Sequence, residues 1–309
     1  MSEPATIGLV GLGNMGAPMA ANIAAAGFDL VCFDAAGTGS RLPDGGRAAA
    51  SATDLFGTAN TVFLSLPDGR VVLEAVETLA ATPDPAVSVV CDLSTVGPAT
   101  ATTAASALAP LGVTYVDCPL SGGRAGAVAG TVSLMYSGPA PILDDHRAIF
   151  DAIAGNVFDV GREAGMGQAM KLLNNVLSAT ALAATSEAVA FGVAQGLDMA
   201  QIIDVLNVST GRNSATDDKF PNRVLSASYD SGFHTRLMTK DVDLFVSEAV
   251  TAGTSAEVIG AVLDVWRAAD RAMPDSDFTE IWKFVSRVGE VDVAEKVQRG
   301  RRRAQLSQG

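Results

Sequence analysis

Apolar residues gather in short runs along the first half of the chain: TIGLV at 6–10, LVCF at 30–33, TVFLSL at 61–66, VSVVCDL at 87–93, VTYVDC at 113–118, TVSLMYS at 131–137 and VFDVG at 157–161. Short apolar runs bounded by turn formers indicate strands buried on both faces, as in a parallel sheet. Between them the spacing becomes helical, at 71–81 and 100–109, and Met15, Met19 and Ile23 recur along one face after the first run. Pro83, Pro85, Pro98, Pro110 and Pro119 punctuate the joints. Beyond 161 the strand-like runs stop. Helices are predicted over 167–195, 199–208, 240–253, 256–272 and 279–300, with an irregular stretch at 209–239. The expected fold is α/β: a doubly wound sheet over 1–164, followed by an all-α domain over 165–309.

The turn after the first run reads GLGNMG, with Gly11, Gly13 and Gly16 spaced as G-x-G-x-x-G around Leu12, Asn14 and Met15. It joins a strand to a helix, and Asp34 ends the next strand, 23 residues after Gly11. In that context each residue has a job. Gly11 permits the sharp turn, Gly13 lets the backbone approach a pyrophosphate, and Gly16 lets helix and strand pack closely. Asp34 accepts bonds from ribose hydroxyls. A plain tight turn is the alternative. The first domain is therefore expected to be a Rossmann-type dinucleotide-binding domain, with NAD favoured over NADP because a carboxylate repels a 2′-phosphate; Arg41 complicates this if its loop folds back.

Composition narrows the function classes. A chain of 309 residues, 48% hydrophobic and 18% charged, can build a large core. Its net charge of −13 argues against nucleic acid and anionic membrane as general partners. The basic run RGRRR at 299–303 is read as a solvated helix end. Cys32, Cys91 and Cys118 lie in or beside strands, their number is odd, and no zinc spacing occurs. They read as small core residues in a reducing cytoplasm, with no metal expected. No signal-peptide pattern precedes the first strand. The stretch 177–196 contains Glu187 and is read as a core helix rather than a membrane span. Covering so long an apolar helix calls for a homodimer or homotetramer.

Four further segments carry chemistry. SLPD at 65–68 (with Leu66 and Pro67) and DLSTVGP at 92–98 (with Ser94 and Thr95) end strands on the glycine-turn side. In DCPLSGGRAGAVAGT at 117–131, Ser121, Gly122 and Gly123 offer a hydroxyl and closely spaced N–H groups suited to a carboxylate, unless they are only a loop. In GMGQAMKLLNN at 165–175, Lys171, Asn174 and Asn175 stand at i, i+3 and i+4 among Leu172, Leu173, Val176 and Leu177. Polar groups so placed cost burial energy unless they bond something. His146 reads as exposed on a charged helix and His234 lies in the irregular stretch, so Lys171 is the better acid/base. The chemistry is expected in a cleft between the domains.

GLGNMG, DLSTVGP, PLSGGRAGAVAGT and GMGQAMKLLNN, in this order, with MTKDVDLF at 238–245, resemble the β-hydroxyacid dehydrogenase family, which includes 3-hydroxyisobutyrate dehydrogenase. The resemblance spans essentially the whole chain. It implies Ser94 and Thr95 beside the nicotinamide, and Ser121, Gly122 and Gly123 on the substrate carboxylate. It implies Lys171 as general acid/base, Asn175 with Asn174 on the substrate, and Lys240 closing over cofactor or substrate. The implied activity is NAD-dependent oxidation of a small 3-hydroxy carboxylate to a semialdehyde or keto acid. The rivals are an NADPH-dependent reductase of a semialdehyde such as tartronate or succinate semialdehyde, and a non-catalytic dinucleotide sensor. A sugar-phosphate substrate is disfavoured by the short helical domain, and the imine-reductase branch by the presence of Lys171. Arg124 and Arg212 are left between substrate contact and surface.

Overall fold

The computed structural model of the chain describes residues 6–287. The first apolar run is β1 (Ile7–Val10), and the glycine turn leads through α1 (Gly16–Ala25) to β2 (Leu30–Phe33). Then follow β3 (Gly46–Ala48), α2 (Ala52–Phe56), β4 (Thr61–Leu64), α3 (Gly69–Ala81), β5 (Val89–Asp92), α4 (Pro98–Leu108) and β6 (Thr114–Asp117). Strands β3-β2-β1-β4-β5-β6 lie side by side and all pair in parallel. The order reverses between β1 and β4, the crevice where doubly wound sheets take their ligands. Gly11 follows β1 there, and Ser65 and Leu66 follow β4.

Alternation along the strands gives the sheet two cores. Ile7, Leu9, Phe63 and Cys91 pack on one face with Met19 and Ile23 of α1. Val10, Val62, Leu64 and Val90 pack on the other with Val72 and Val76 of α3. All three cysteines are buried free thiols, filling space as small apolar groups. The sheet continues through β7 (Leu120–Ser121), α5 (Gly123–Ala129), β8 (Val132–Ser137), α6 (Ala140–Asp145), α7 (Arg147–Ile153) and β9 (Ala154–Gly161). β8 runs antiparallel to β6 and β7 and parallel to β9.

The helical part holds α8 (Met166–Ala194), α9 (Met199–Asn207), α10 (Thr235–Thr251), α11 (Glu257–Ala272) and α12 (Ile281–Arg287). By length and composition α8 could cross a membrane, yet its Val176, Ala179, Leu182 and Val189 are buried in the protein. Around Trp266, fully buried, the indole N–H donates to the Ala179 carbonyl at 3.3 Å and the ring stacks on Phe278. Leu177 and Phe191 remain exposed on α8.

Three local expectations are corrected. The stretch 209–239 is not irregular throughout: Ala215–Val224 forms a π-helix and α10 starts at Thr235. Asn213 opens the π-helix by accepting from the Ala215 and Thr216 amides, and Pro221 inside it hid the helix from a periodicity reading. His146 is half-buried at the α6–α7 junction, its ring bonded to Thr61 Oγ1 at 2.8 Å and to the Ile142 carbonyl. The predicted 279–300 helix is seen as a 3₁₀ turn, Phe278–Glu280, and α12; its remainder, with 299–303, lies outside the described residues.

Two compact units result. One runs up to Asn174 and includes Leu244–Ser255; the other is built from Asn175–Asp243 and from Ala256 onward. The first unit extends past the expected boundary at 164 because the start of α8 is tied to the sheet. Asp117, fully buried at the end of β6, accepts from Gly165 N at 2.9 Å through Oδ1 and from Gln168 N at 2.8 Å through Oδ2. Burial raises its pKa from 3.8 to about 6, the two amide bonds opposing and the neighbouring Asp92 adding to the rise. The folded state thus holds the Asp117 proton more tightly than the unfolded chain. This contribution is fully present below the unfolded value and is lost as pH rises through the folded one. In urea unfolding the Asp117→Asn variant should lack the wild-type loss of stability between pH 4 and pH 6; an unchanged slope would assign that loss to other carboxylates.

Candidate active site

The glycine turn is shaped by contacts that only glycine tolerates at two of its three positions. Gly11 has φ +97°, and a Cβ there would lie 2.3 Å from the Ser65 carbonyl oxygen. At Gly16 a Cβ would lie 1.8 Å from the Gly11 carbonyl oxygen, so turn and helix touch backbone to backbone. Gly13 differs: a Cβ there would meet nothing within 4 Å. The backbone at Gly13 is thus bare for a reason other than packing. Next to it, α1 begins with no side-chain cap and no acidic residue in its first turn. A helix N-terminus left in this form, beside an open glycine, fits the pyrophosphate of a dinucleotide.

Asp34 sits at the far side of this turn. Its Oδ2 accepts from Leu12 N at 2.7 Å and its Oδ1 from Ala36 N at 2.8 Å, so the carboxylate stitches the strand end to the glycine loop. The loop after β2 does fold back. Arg41 meets both carboxylate oxygens, at 3.2 and 3.1 Å, and also bonds the Leu12 and Gly37 carbonyls. Asp34 therefore presents a charge already answered by a guanidinium.

Leu66 and Ser94 meet: Leu66 N donates to Ser94 Oγ at 2.9 Å, joining the ends of β4 and β5. Pro67 is exposed beside them and Asp68 caps α3 through Val71 N. Thr95 is half-buried on the same loop. On the other flank, Ser121 ends β7, and Gly122 and Gly123 follow with φ of +137° and +64°, exposed. Consecutive positive-φ residues turn their N–H groups to one side. Asn174 Nδ2 donates to Ser121 Oγ at 3.3 Å, which brings the third turn of α8 onto this loop. One turn before Asn174 lies Lys171, 9% exposed.

The second unit holds the remaining expected residues. Asn175 is buried and its Nδ2 donates to Asp241 Oδ2 at 2.6 Å. Lys240 Nζ stands 3.1 Å from Asp241 Oδ1. Asp241, 1% exposed, orients the asparagine and is flanked by the lysine; it belongs to the MTKDVDLF segment but was not singled out from the sequence. Other sequence candidates go elsewhere. Arg212 is exposed and pairs with Asp217, and Arg124 is exposed on α5. His234 bonds the Asp275 carbonyl.

Two residues of the first unit were also passed over. Gln168, within the quoted GMGQAMKLLNN, is fully buried and bonds three backbone groups of the Ser94–Gly97 loop. Glu248 accepts from Ala99 N at the start of α4. A polar residue inside an apolar helical stretch was the available signal for Gln168. Glu248 gave none, since its partner is 149 positions away.

The turn can be tested as a cofactor site apart from its role in folding. Gly13→Ala should leave the melting temperature within a degree or two of wild type, because the added methyl enters open space, yet it should weaken NADH binding in a fluorescence titration. Gly16→Ala should lower both. Wild-type NADH affinity in the Gly13→Ala variant would make the turn purely structural.

Comparison with known proteins bears on both units. Residues 6–161 match the family model described as the NAD binding domain of 6-phosphogluconate dehydrogenase. Residues 165–285 match that described as the NAD-binding of NADP-dependent 3-hydroxyisobutyrate dehydrogenase. Among similar proteins, an NAD-dependent L-serine dehydrogenase of Pseudomonas aeruginosa is 34% identical over 300 residues, covering 90% of this chain and 97% of the relative. A 3-hydroxyisobutyrate dehydrogenase of the same organism is 36% identical over 295 residues, with the same shares covered. The solved structure of Mycobacterium tuberculosis 3-hydroxyisobutyrate dehydrogenase with L-serine superposes with a TM-score of 0.84 at 30% identity, over 91% of this chain and 99% of that one. With the motifs in order and the two-domain fold in place, the chain belongs to the β-hydroxyacid dehydrogenase family and is an NAD(P)-dependent oxidoreductase acting on the hydroxyl group of a hydroxy acid.

Proposed function

We propose that this enzyme uses NAD and oxidises a small 3-hydroxy carboxylate, of the 3-hydroxyisobutyrate or L-serine type, reversibly, with Lys171 as general acid/base. The observation that carries the reading is the Asn174–Ser121 hydrogen bond. It holds the carboxylate-suited Ser121-Gly122-Gly123 loop against the helix turn that bears Lys171, so a carboxylate and a hydroxyl on the β carbon could be gripped together. L-serine and 3-hydroxyisobutyrate, named for the relatives, both carry that arrangement.

Bound NAD⁺ would supply the hydride acceptor. Lys171, as a neutral amine, takes the hydroxyl proton while the hydride departs; in the reverse direction its ammonium returns that proton to the carbonyl oxygen. The amine's burial keeps the proton path short and excludes bulk water as a competing base. Asn174 and the Gly122 and Gly123 N–H groups would orient the acid, work that lies in positioning rather than in bond chemistry.

An NAD⁺-reduction screen over short hydroxy acids tests the substrate class: equal rates on simple alcohols and on every acid would refute the carboxylate grip. On the best acid, Lys171→Ala should lose on the order of 10² to 10⁴ in kcat while still binding NADH, since the glycine turn is untouched. Lys171→Arg should not rescue it, because guanidinium does not release its proton at these pH values. Oxidation should quicken as pH rises and reduction should slow, because the two directions consume opposite forms of the amine. A Lys171→Ala enzyme with wild-type rates and pH profile would move the role elsewhere.

NAD preference is argued from Asp34 at the β2 end, where a carboxylate accepts from ribose hydroxyls. A second reading, NADPH-dependent reduction of a small semialdehyde, draws on Arg41, a cation within reach of a 2′-phosphate. Both are weighed by one pair of variants. Wild type should have the higher kcat/KM with NAD⁺. Asp34→Ala should raise kcat/KM for NADP⁺ by releasing Arg41, and Asp34→Ala/Arg41→Ala should lose that gain. Preference of the wild type for NADP⁺ would favour the second reading.

A further inference from the structure

Gln168 is fully buried, and its side-chain amide makes three hydrogen bonds, all to a single loop. Oε1 accepts from Val96 N at 2.9 Å and from Gly97 N at 3.3 Å, and Nε2 donates to the Ser94 carbonyl at 2.9 Å. The double acceptance depends on Gly97, whose φ of +84° opens α4. From below, Gln168 N is held by Asp117. A side chain that only had to fill this space could be apolar; an amide so bonded fixes distance and direction as well.

What it fixes is the placement of one loop against one helix turn. Ser94 and Thr95 lie on the loop expected beside the nicotinamide. Lys171 follows Gln168 by three residues, about 4.5 Å along the axis of α8. We propose that Gln168 is a positioning residue for the reaction: its amide sets the distance between the Ser94–Gly97 loop and the turn bearing Lys171, and so aligns the acid/base with the hydride path. The proposal rests on the reading of Lys171 as acid/base. Gln168 touches no reacting atom and acts through Lys171. Near-attack geometry is steep in distance, and a displacement of about 1 Å can cost on the order of 10² in rate.

The test is a double-mutant cycle with Lys171, on the full-length enzyme and the best acid from the NAD⁺ screen. Gln168→Met keeps the volume and removes all three bonds. Gln168→Glu, gentler, keeps an oxygen for Val96 N and Gly97 N but sets a second oxygen against the Ser94 carbonyl; protonation of the carboxyl restores the donor. Both variants are checked for wild-type circular dichroism before assay. The expected result for Gln168→Met is a loss in kcat on the order of 10², with KM for NAD⁺ and the NADH dissociation constant within about twofold of wild type. In the Lys171→Ala background the same substitution should change kcat by no more than about twofold, because the group it aligned is gone. Gln168→Glu should recover activity relative to wild type as pH falls. Full additivity with Lys171→Ala, or a loss of kcat matched by an equal loss of NADH affinity, would overturn the positioning role and leave Gln168 a fold residue. A wild-type rate in Lys171→Ala itself would sink the acid/base reading, and this proposal with it, and is read from that variant alone.

Discussion

A single buried carboxylate, Asp117, determines where the helix of the candidate active site begins. It closes β6, and its two oxygens take the Gly165 and Gln168 amides, so the first turn of α8 starts against the end of the sheet. The approach is so close that Gly167 has no room for a side chain: a Cβ there would lie 2.6 Å from the Met135 carbonyl oxygen and 2.7 Å from Asp117 Oδ2. Gly165, with φ +102°, would crowd Pro98. Both glycines of the GMG segment thus answer to one anchorage. The neighbouring strand ends the same way. Asp92, in register with Asp117 across β5 and β6, is also fully buried and accepts from Ser94 N and the Tyr115 hydroxyl. Tyr115 is held well above its usual range by burial first and by this carboxylate next. Two adjacent buried acids are a poor way to stabilise the ends of two interior strands. What they gain is backbone geometry, because each converts a strand end into a fixed acceptor for the loop or helix that follows.

The sequence made β1, β2, β4, β5 and β6 legible because burial on both faces leaves apolar runs that no surface element shares, whereas β3, short and mostly exposed, left no such run. The glycine turn was legible for a related reason: at Gly11 and Gly16 a methyl group collides with backbone, which limits the residue to one type. Lys171 and Asn175 stood out as polar side chains in an apolar helix. Gln168 met the same criterion and was passed over, since an uncharged amide suggests less chemistry than an amine. What could not be read were partners. That Asn175 answers to Asp241, 66 positions away, or Gln168 to the loop more than 70 positions earlier, is a product of topology. The π-helix was illegible for a different reason. Its period is not 3.6 and it contains Pro221, and these cues outweighed the acidic first turn that favours a helix start. His146 was misread because charged neighbours in sequence were taken for a solvated setting, whereas the helix pair α6–α7 turns the ring to Thr61.

Asp34 marks the limit of motif reading more sharply than these. Its type and spacing were legible, and a lone carboxylate at that point repels a 2′-phosphate. Its charge was not, because charge at a point is a sum over neighbours. Arg41, seven residues on, lies across both oxygens, and the pair is only partly exposed, the carboxylate less than the guanidinium. The Leu12 amide on Asp34 and the Leu12 carbonyl on Arg41 bind this pair to the glycine loop itself. On the proposed reading of Asp34, ribose hydroxyls and a guanidinium would compete for the same oxygens. A ribose that takes Asp34 must share or displace Arg41, and a phosphate that takes Arg41 must do so beside Asp34. The discrimination energy is a difference between two partly compensated states, smaller than an isolated acid would impose. On that reading, substitution at Arg41 would be as direct a lever on cofactor preference as substitution at Asp34.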